Sequence, residues 1–140
     1  MEIRLGSAVL LRLIASLIVI LASSARPGEA QPVPDLIQAV KSGDIDSMRR
    51  LLDHGADAGE QQGDGATALH WAAHRNDLEA AAILIEAGAS VGVANDLGAT
   101  SLWLAAMNGS GPMVARLLDG GADANTALAM GETALMSAAR

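Results

Sequence analysis

The sequence predicts an all-α solenoid, a stack of helix-turn-helix units joined by β-hairpin-like fingers. Three observations predict it. Gly65-x-Thr67 recurs as Gly98-x-Thr100 and Gly131-x-Thr133, and Gly55-Ala56 recurs as Gly88-Ala89 and Gly121-Ala122, always at an interval of 33 residues. A fixed period of that size marks a repeat architecture. Each period contains two short apolar runs bounded by residue types that start and stop helices. Finally, the apolar content, 51% of 140 residues, is aliphatic: Phe and Tyr are absent, and Trp71 and Trp103 are the only aromatic side chains. Small and aliphatic residues suit closely packed helices better than sandwiches or barrels, which lean on aromatic and β-branched side chains.

The elements of one unit follow in order. Thr67, Thr100 and Thr133 each precede an apolar run, such as "ALHWAA" and "SLWLAA", where a hydroxyl caps the free N–H groups of a helix start. Gly43, Asn76 and Gly109 then share a register and are the residue types that enter the left-handed conformation at a helix end. Asp44, Asp77 and Ser110 follow at once as N-caps for a second helix. That helix carries an i, i+3, i+4 stripe: Met48/Leu51/Leu52, Ala81/Leu84/Ile85 and Val114/Leu117/Leu118, the spacing of one buried helical face. Pro112 falls in its first turn, where a missing N–H costs nothing. Gly55, Gly88 and Gly121 close it with a second left-handed cap.

The openings "GATALHWAA", "GATSLWLAA" and "GETALMSAA" and the closings "LLDHGAD", "LIEAGAS" and "LLDGGAD" carry a family signature. In them the chain resembles the ankyrin repeat, whose unit opens on G-x-T-P-L-H-x-A-A and closes on L-L-x-x-G-A-D. The resemblance covers about Pro34 to Arg140. The family's proline is replaced by Ala68, Ser101 and Ala134, and its histidine persists only as His70, with Trp103 and Met136 in its place elsewhere. The resemblance implies that this histidine ties neighbouring repeats together by hydrogen bonds, so the other two units are expected to rely on packing. Residues 34–62 are expected to form an N-terminal capping repeat, since both helices are present without the Gly-x-Thr entry. Repeats are expected at 63–95 and 96–128. Residues 129–140 read as a truncated repeat that stops without a polar terminal cap, which repeat arrays need. The expectation is a C-terminally truncated fragment.

The first thirty residues read as an export signal. Arg4 and Arg12 flank a start that runs into "LIASLIVILA", Leu13 to Ala22, half the length of about twenty that a membrane span needs. Small residues and a break, "SSARPGEA", follow. Cleavage is expected after Ala25 or Ala30, leaving 31–140 as the mature domain in the periplasm or outside the cell. A membrane association is expected only if the segment is retained as an anchor.

The chain carries a net charge of −7. The first thirty residues hold three of its basic and two of its acidic side chains, leaving six against fourteen, a net of −8. Such a domain repels phosphate backbones, so nucleic acid is not an expected partner. There is no cysteine, which removes thiolate chemistry, disulfides and Cys-based zinc sites.

Several stretches mimic active sites. "GDGATA" fits a loose dinucleotide turn, but "DAGEQQ" before it is polar and strand-poor, where the fold of such a turn needs a buried strand. "HWAAH" places His70 and His74 on one helical face, yet Trp71 stands where a zinc peptidase needs glutamate. "GSGP" at Gly109 to Pro112 lacks the G-x-S-x-G of a nucleophile elbow. Asp44, Asp46, Asp77 and Glu79 sit at helix starts, and His54 at a helix end, where the dipole favours them without chemistry. "NGS" at Asn108 fits a glycosylation acceptor, of use only on a eukaryotic secretory route. No catalytic, cofactor-binding or metal site is expected, nor any small-molecule substrate.

The resemblance implies instead a concave face of fingers and first-helix ends that binds other proteins. Registers that cap or pack keep one residue type across the units, while those on that face change. Lys41, His74, Met107 and Arg140 share one such register, and Ser42, Arg75 and Asn108 the next; Asp64, Leu97 and Met130 share a fingertip register beside Asp96. The expected partner-binding set is Asp64, His74, Arg75, Asp96, Leu97, Met107, Asn108 and Met130. The expected function is a non-catalytic, exported scaffold or adaptor for an unidentified protein. The alternative is the recognition module of a longer polypeptide whose catalytic or membrane part lies beyond Arg140.

Overall fold

The computed structural model divides the chain into two compact units, Met1–Val33 and Pro34–Arg140. It describes residues 35–126 together with 131, 133, 136 and 139, all in the second unit. The expected signal segment, residues 1–30, together with Met130 and Arg140 lies outside the described residues. Six helices follow one another: α1 (Leu36–Ser42), α2 (Ile45–Asp53), α3 (Ala68–Arg75), α4 (Leu78–Glu86), α5 (Ser101–Met107) and α6 (Gly111–Asp119). They pair as α1/α2, α3/α4 and α5/α6, three units at the expected period. The first helices stack as α1, α3, α5 and the second helices as α2, α4, α6.

The turn between paired helices uses each residue twice. Asn76 enters the left-handed region at φ 57, and Gly43 and Gly109 do so at 73 and 66. Their N–H groups return to Ala73, Val40 and Ala106, and those of Asp77, Asp44 and Ser110 return to Ala72, Ala39 and Ala105. The carbonyls left open at the helix end are thereby satisfied. The same three residues then open the next helix: Asp44 and Asp77 carboxylates accept from the N–H of Ser47 and Ala80 at 2.9 and 3.0 Å, and the Ser110 hydroxyl accepts from Met113 at 3.3 Å. The Asp44 carboxyl is held below its ordinary pKa first by the Ser47 hydroxyl, 2.6 Å away, and then by the Ser47 N–H.

Between units the chain makes the fingers. Gln61 pairs with Thr67 and Ala94 with Thr100 in isolated antiparallel bridges. Neighbouring fingers join through the Asp96 N–H and the Asp64 carbonyl at 3.0 Å. Gly65 is needed there twice over. Its φ is +76, and a Cβ would lie 3.2 Å from Asn95 Cα and 3.3 Å from the Asp96 nitrogen.

The core is made of alanines and a few larger aliphatic side chains. Ala68, Ala72 and Ala73 of α3 and Ala105 and Ala106 of α5 are buried alongside Leu69 and Leu102. Their small side chains let successive first helices approach closely. The second-helix stripe is buried at Met48, Ala81, Leu84 and Leu117, as expected. Ala80 and Met113, one residue ahead of the stripe, are fully buried beside Leu84 and Leu117, while Leu118 is 40% exposed. Leu118 is at the far edge of the stripe on the last described helix. There it lines a cavity of about 450 Å³ with Leu102, Ala106 and Val114.

Candidate functional site

Two rows of side chains form the candidate face, and one member of each, Asp64 and His74, lines a cavity of about 160 Å³ with Ala66, His70, Trp71, Asn95 and with Leu104 of the next repeat. The fingertips supply one row. Asp64, Asp96 and Leu97 are exposed there, Leu97 to 77%. The Asp64 carboxylate accepts the Ala66 N–H at 3.0 Å, and the Asn95 side-chain oxygen accepts from Leu97 and Ala99 at 3.0 and 2.9 Å. These turns fix the finger backbones from within and leave the tips rigid.

The ends of the first helices supply the other row: Lys41, His74, Arg75, Met107 and Asn108. Met107 is 53% exposed. Arg75 and Asn108 occupy one register, and each reaches back to the preceding repeat. Arg75 Nη1 donates to the Lys41 carbonyl at 2.9 Å, and Asn108 Nδ2 donates to the carbonyls of Ala73 and His74 at 3.0 and 2.9 Å. Both side chains thus cap the first helix of the repeat before their own. Sequence reading assigned them only to a binding face, because the carbonyls they meet are 34 or 35 residues away.

Trp71 joins the two rows. Its Nε1–H donates to Gln62 Oε1 at 3.1 Å, Lys41 Nζ stands 4.3 Å from its ring centroid, and the His74 ring meets it edge-on at 5.9 Å. Neither Trp71 nor Gln62 is among the contact residues to which the sequence points. A signal was present: Trp71 is a large amphipathic ring directly after His70, on a short helix with three alanines among its eight residues.

His70 and His74 point to different tasks. His70 is 3% exposed. Its Nδ1 accepts the Thr67 N–H at 3.1 Å and lies 2.9 Å from the Thr67 hydroxyl, while its Nε2–H donates to the Ala99 carbonyl of the next repeat at 3.0 Å. Burial holds its pKa below the ordinary 6.5, against the opposing pull of the Ala99 carbonyl and of Asp64. With both ring nitrogens engaged inside the protein, no lone pair remains for a metal. Among the described residues, no group of three His, Asp or Glu side chains is arranged to hold one.

A histidine bridging two repeats, capped helix pairs at a 33-residue period and paired fingers all meet in one signature, and the family model for ankyrin repeats (3 copies) matches residues 36–127. The chain belongs to the ankyrin-repeat family. No curated protein sequence matches it. Ankyrin repeats generally mediate protein–protein interaction, and they are typically non-catalytic. In this ankyrin stack five of the expected contact residues besides Arg75 and Asn108 stand on described positions, and all five, Asp64, His74, Asp96, Leu97 and Met107, are exposed; Lys41, outside that set, joins the helix-end row and sits over Trp71.

Proposed function

We infer that the chain is an exported, non-catalytic adaptor that binds a protein through the face between its fingertips and its first-helix ends. The observation that carries the reading is the exposure of Leu97 and Met107, at 77% and 53%, on rows whose backbones are pinned by side-chain hydrogen bonds. Large apolar groups held rigidly at the surface bury area on association at little entropic cost. Export rests on the sequence of the first thirty residues.

The test of the binding face separates contact from stability. Leu97→Ala with Met107→Ala should abolish capture of the partner from an extracytoplasmic extract and leave the circular dichroism melt unchanged. Glu86→Lys with Arg116→Glu, which border a groove between α4 and α6 on the second-helix side, should leave capture intact. The reverse pattern would place the partner on the second helices. Arg75 is left out of the contact variant, because its loss also opens a helix cap. For export, intact-mass analysis of the periplasmic fraction of a bacterial host should find a chain starting at Arg26 or Gln31. Recovery of only the full-length chain in membranes would favour a retained anchor.

A further inference from the structure

Carboxylates outnumber Lys and Arg thirteen to five between residues 35 and 126. Of those five cations, Arg49 alone among the described residues forms an ion pair, with Glu79 at 3.1 Å; Arg50 bonds to Ser47 and the Asp46 carbonyl within α2, and Arg116 lies on α6, on the second-helix side. Lys41 and Arg75 are treated differently. The Arg75 guanidinium meets the Lys41 backbone, and neither side chain forms an ion pair among the described residues. Each is steadied by a group that does not neutralise it. Lys41 lies over the Trp71 ring at 4.3 Å, and Arg75 donates to the Lys41 carbonyl at 2.9 Å.

The placement of Arg75 is tight. Its Nη2 would lie 3.0 Å from a Cβ at Gly43, whose φ of +73 already excludes most side chains. One of the five guanidinium donors is used, so the rest of the fork remains for an acceptor that is planar or bidentate. The ring beneath Lys41 is itself fixed by Gln62 and His74. Two cations are therefore pre-positioned and left unsatisfied, on a chain with carboxylates to spare.

We propose that the Lys41–Trp71–Arg75 cluster docks a short acidic segment of a partner protein, its carboxylates on the two cations and an aliphatic side chain in the cavity beside Trp71 and Leu104. This rests on the protein-binding reading above and names the chemistry of the partner. Asp64, which lines the cavity from the finger, repels carboxylates and so sets the segment's orientation: acid toward the helix ends, apolar toward the fingers. The overall negative charge admits a segment with few acidic groups and disfavours an extended polyanion.

The full chain is used to select binders from a random displayed peptide library, in parallel with the double variant Lys41→Gln, Arg75→Gln. Glutamine at position 75 keeps an amide donor for the Lys41 carbonyl, and melting curves verify that the fold is retained. Peptides selected by the natural chain should be enriched in Asp and Glu next to an aliphatic residue. Their affinity for the double variant should be about tenfold weaker, as two exposed charge contacts of ordinary strength amount to. The loss should shrink at high salt. Selected peptides without acidic enrichment would overturn the proposal and leave the protein-binding reading standing. Acidic peptides bound equally by the variant would overturn it by placing the contact elsewhere. Failure to select any peptide would count against both. Displacement of the peptides by a single-stranded oligonucleotide, or dimerisation abolished by Lys41→Gln, would assign the cations to phosphate or to a second copy and overturn it too.

Discussion

At the scale of single residues, His70 and Gly65 each join one repeat to the next. His70 is neutral in the fold, donating from Nε2 to Ala99 and accepting at Nδ1 from the Thr67 N–H. A proton on Nδ1 would face that N–H donor, and burial penalises the charge. Its folded pKa therefore lies below the unfolded value of 6.5. The sign follows: His70 leaves stability intact above the unfolded pKa. Stability is lost as pH falls through 6.5, because the unfolded chain takes up the proton first. The loss stops growing once the folded form protonates as well. Thermal melts between about pH 7.5 and pH 5 should show a decline that is absent in His70→Gln. Asp44, also depressed, acts in a separate window below its ordinary 3.8. Removing the bridge with His70→Ala should cost about 1–3 kcal/mol, the penalty of stranding a buried carbonyl. Gly65→Ala should destabilise by more than about 1 kcal/mol and by more than Gly55→Ala. Both glycines have positive φ, but only the Cβ at 65 meets backbone, while that at 55 meets nothing within 4 Å.

At the scale of the element, the first helices α1 and α3 are each finished by a side chain from the following repeat. Asn108 gives both contacts through one amide nitrogen. Asn108→Asp should therefore cost more than Asn108→Ala, by about 1–3 kcal/mol in total, because it sets a carboxylate against two carbonyls. Urea denaturation of the two variants checks the order. The contrast between these long-range caps and the local ones explains what sequence alone revealed. Asp44, Asp77, Ser110 and Thr100 cap helices three residues away, so their role is written in adjacent letters and repeated at a fixed period. The bonds of Arg75 and Asn108 cross 34 or 35 residues, and the seat of Lys41 on Trp71 crosses a repeat as well. Periodicity placed these side chains on one edge, and only three-dimensional packing decides which neighbour each one meets. In the second helices the stripe positions Met48, Ala81, Leu84 and Leu117 are buried as their spacing implies, and Ala80 and Met113 are buried in addition to them.

At the scale of the whole described stack, the main packing runs within a repeat or between adjacent repeats: α1 on α3, α3 on α5, α2 on α4, α4 on α6. Stability in such an array is close to a sum of repeat and nearest-neighbour interface contributions. The middle repeat has an interface on each side, and its helices hold more fully buried side chains than either neighbour: Leu69, Ala72, Ala73, Ala80, Ala81 and Leu84 are all at 0% exposure, against Met48 in the first repeat and Ala105, Met113 and Leu117 in the third. Leu51, at the register of Leu84 but in the first repeat, is only partly buried. Leu84→Ala should therefore cost about 2–5 kcal/mol, clearly more than Leu51→Ala. Its effect should spread, because weakening α4 loosens both interfaces at once. Native-state hydrogen exchange checks this directly. Amides of α3 and α4 should exchange last in the natural chain, and Leu84→Ala should bring their protection down to that of α1 and α2. A variant that lowered protection in the middle repeat alone, with α1, α2, α5 and α6 unmoved, would mean that the repeats fold independently and that the interfaces contribute little.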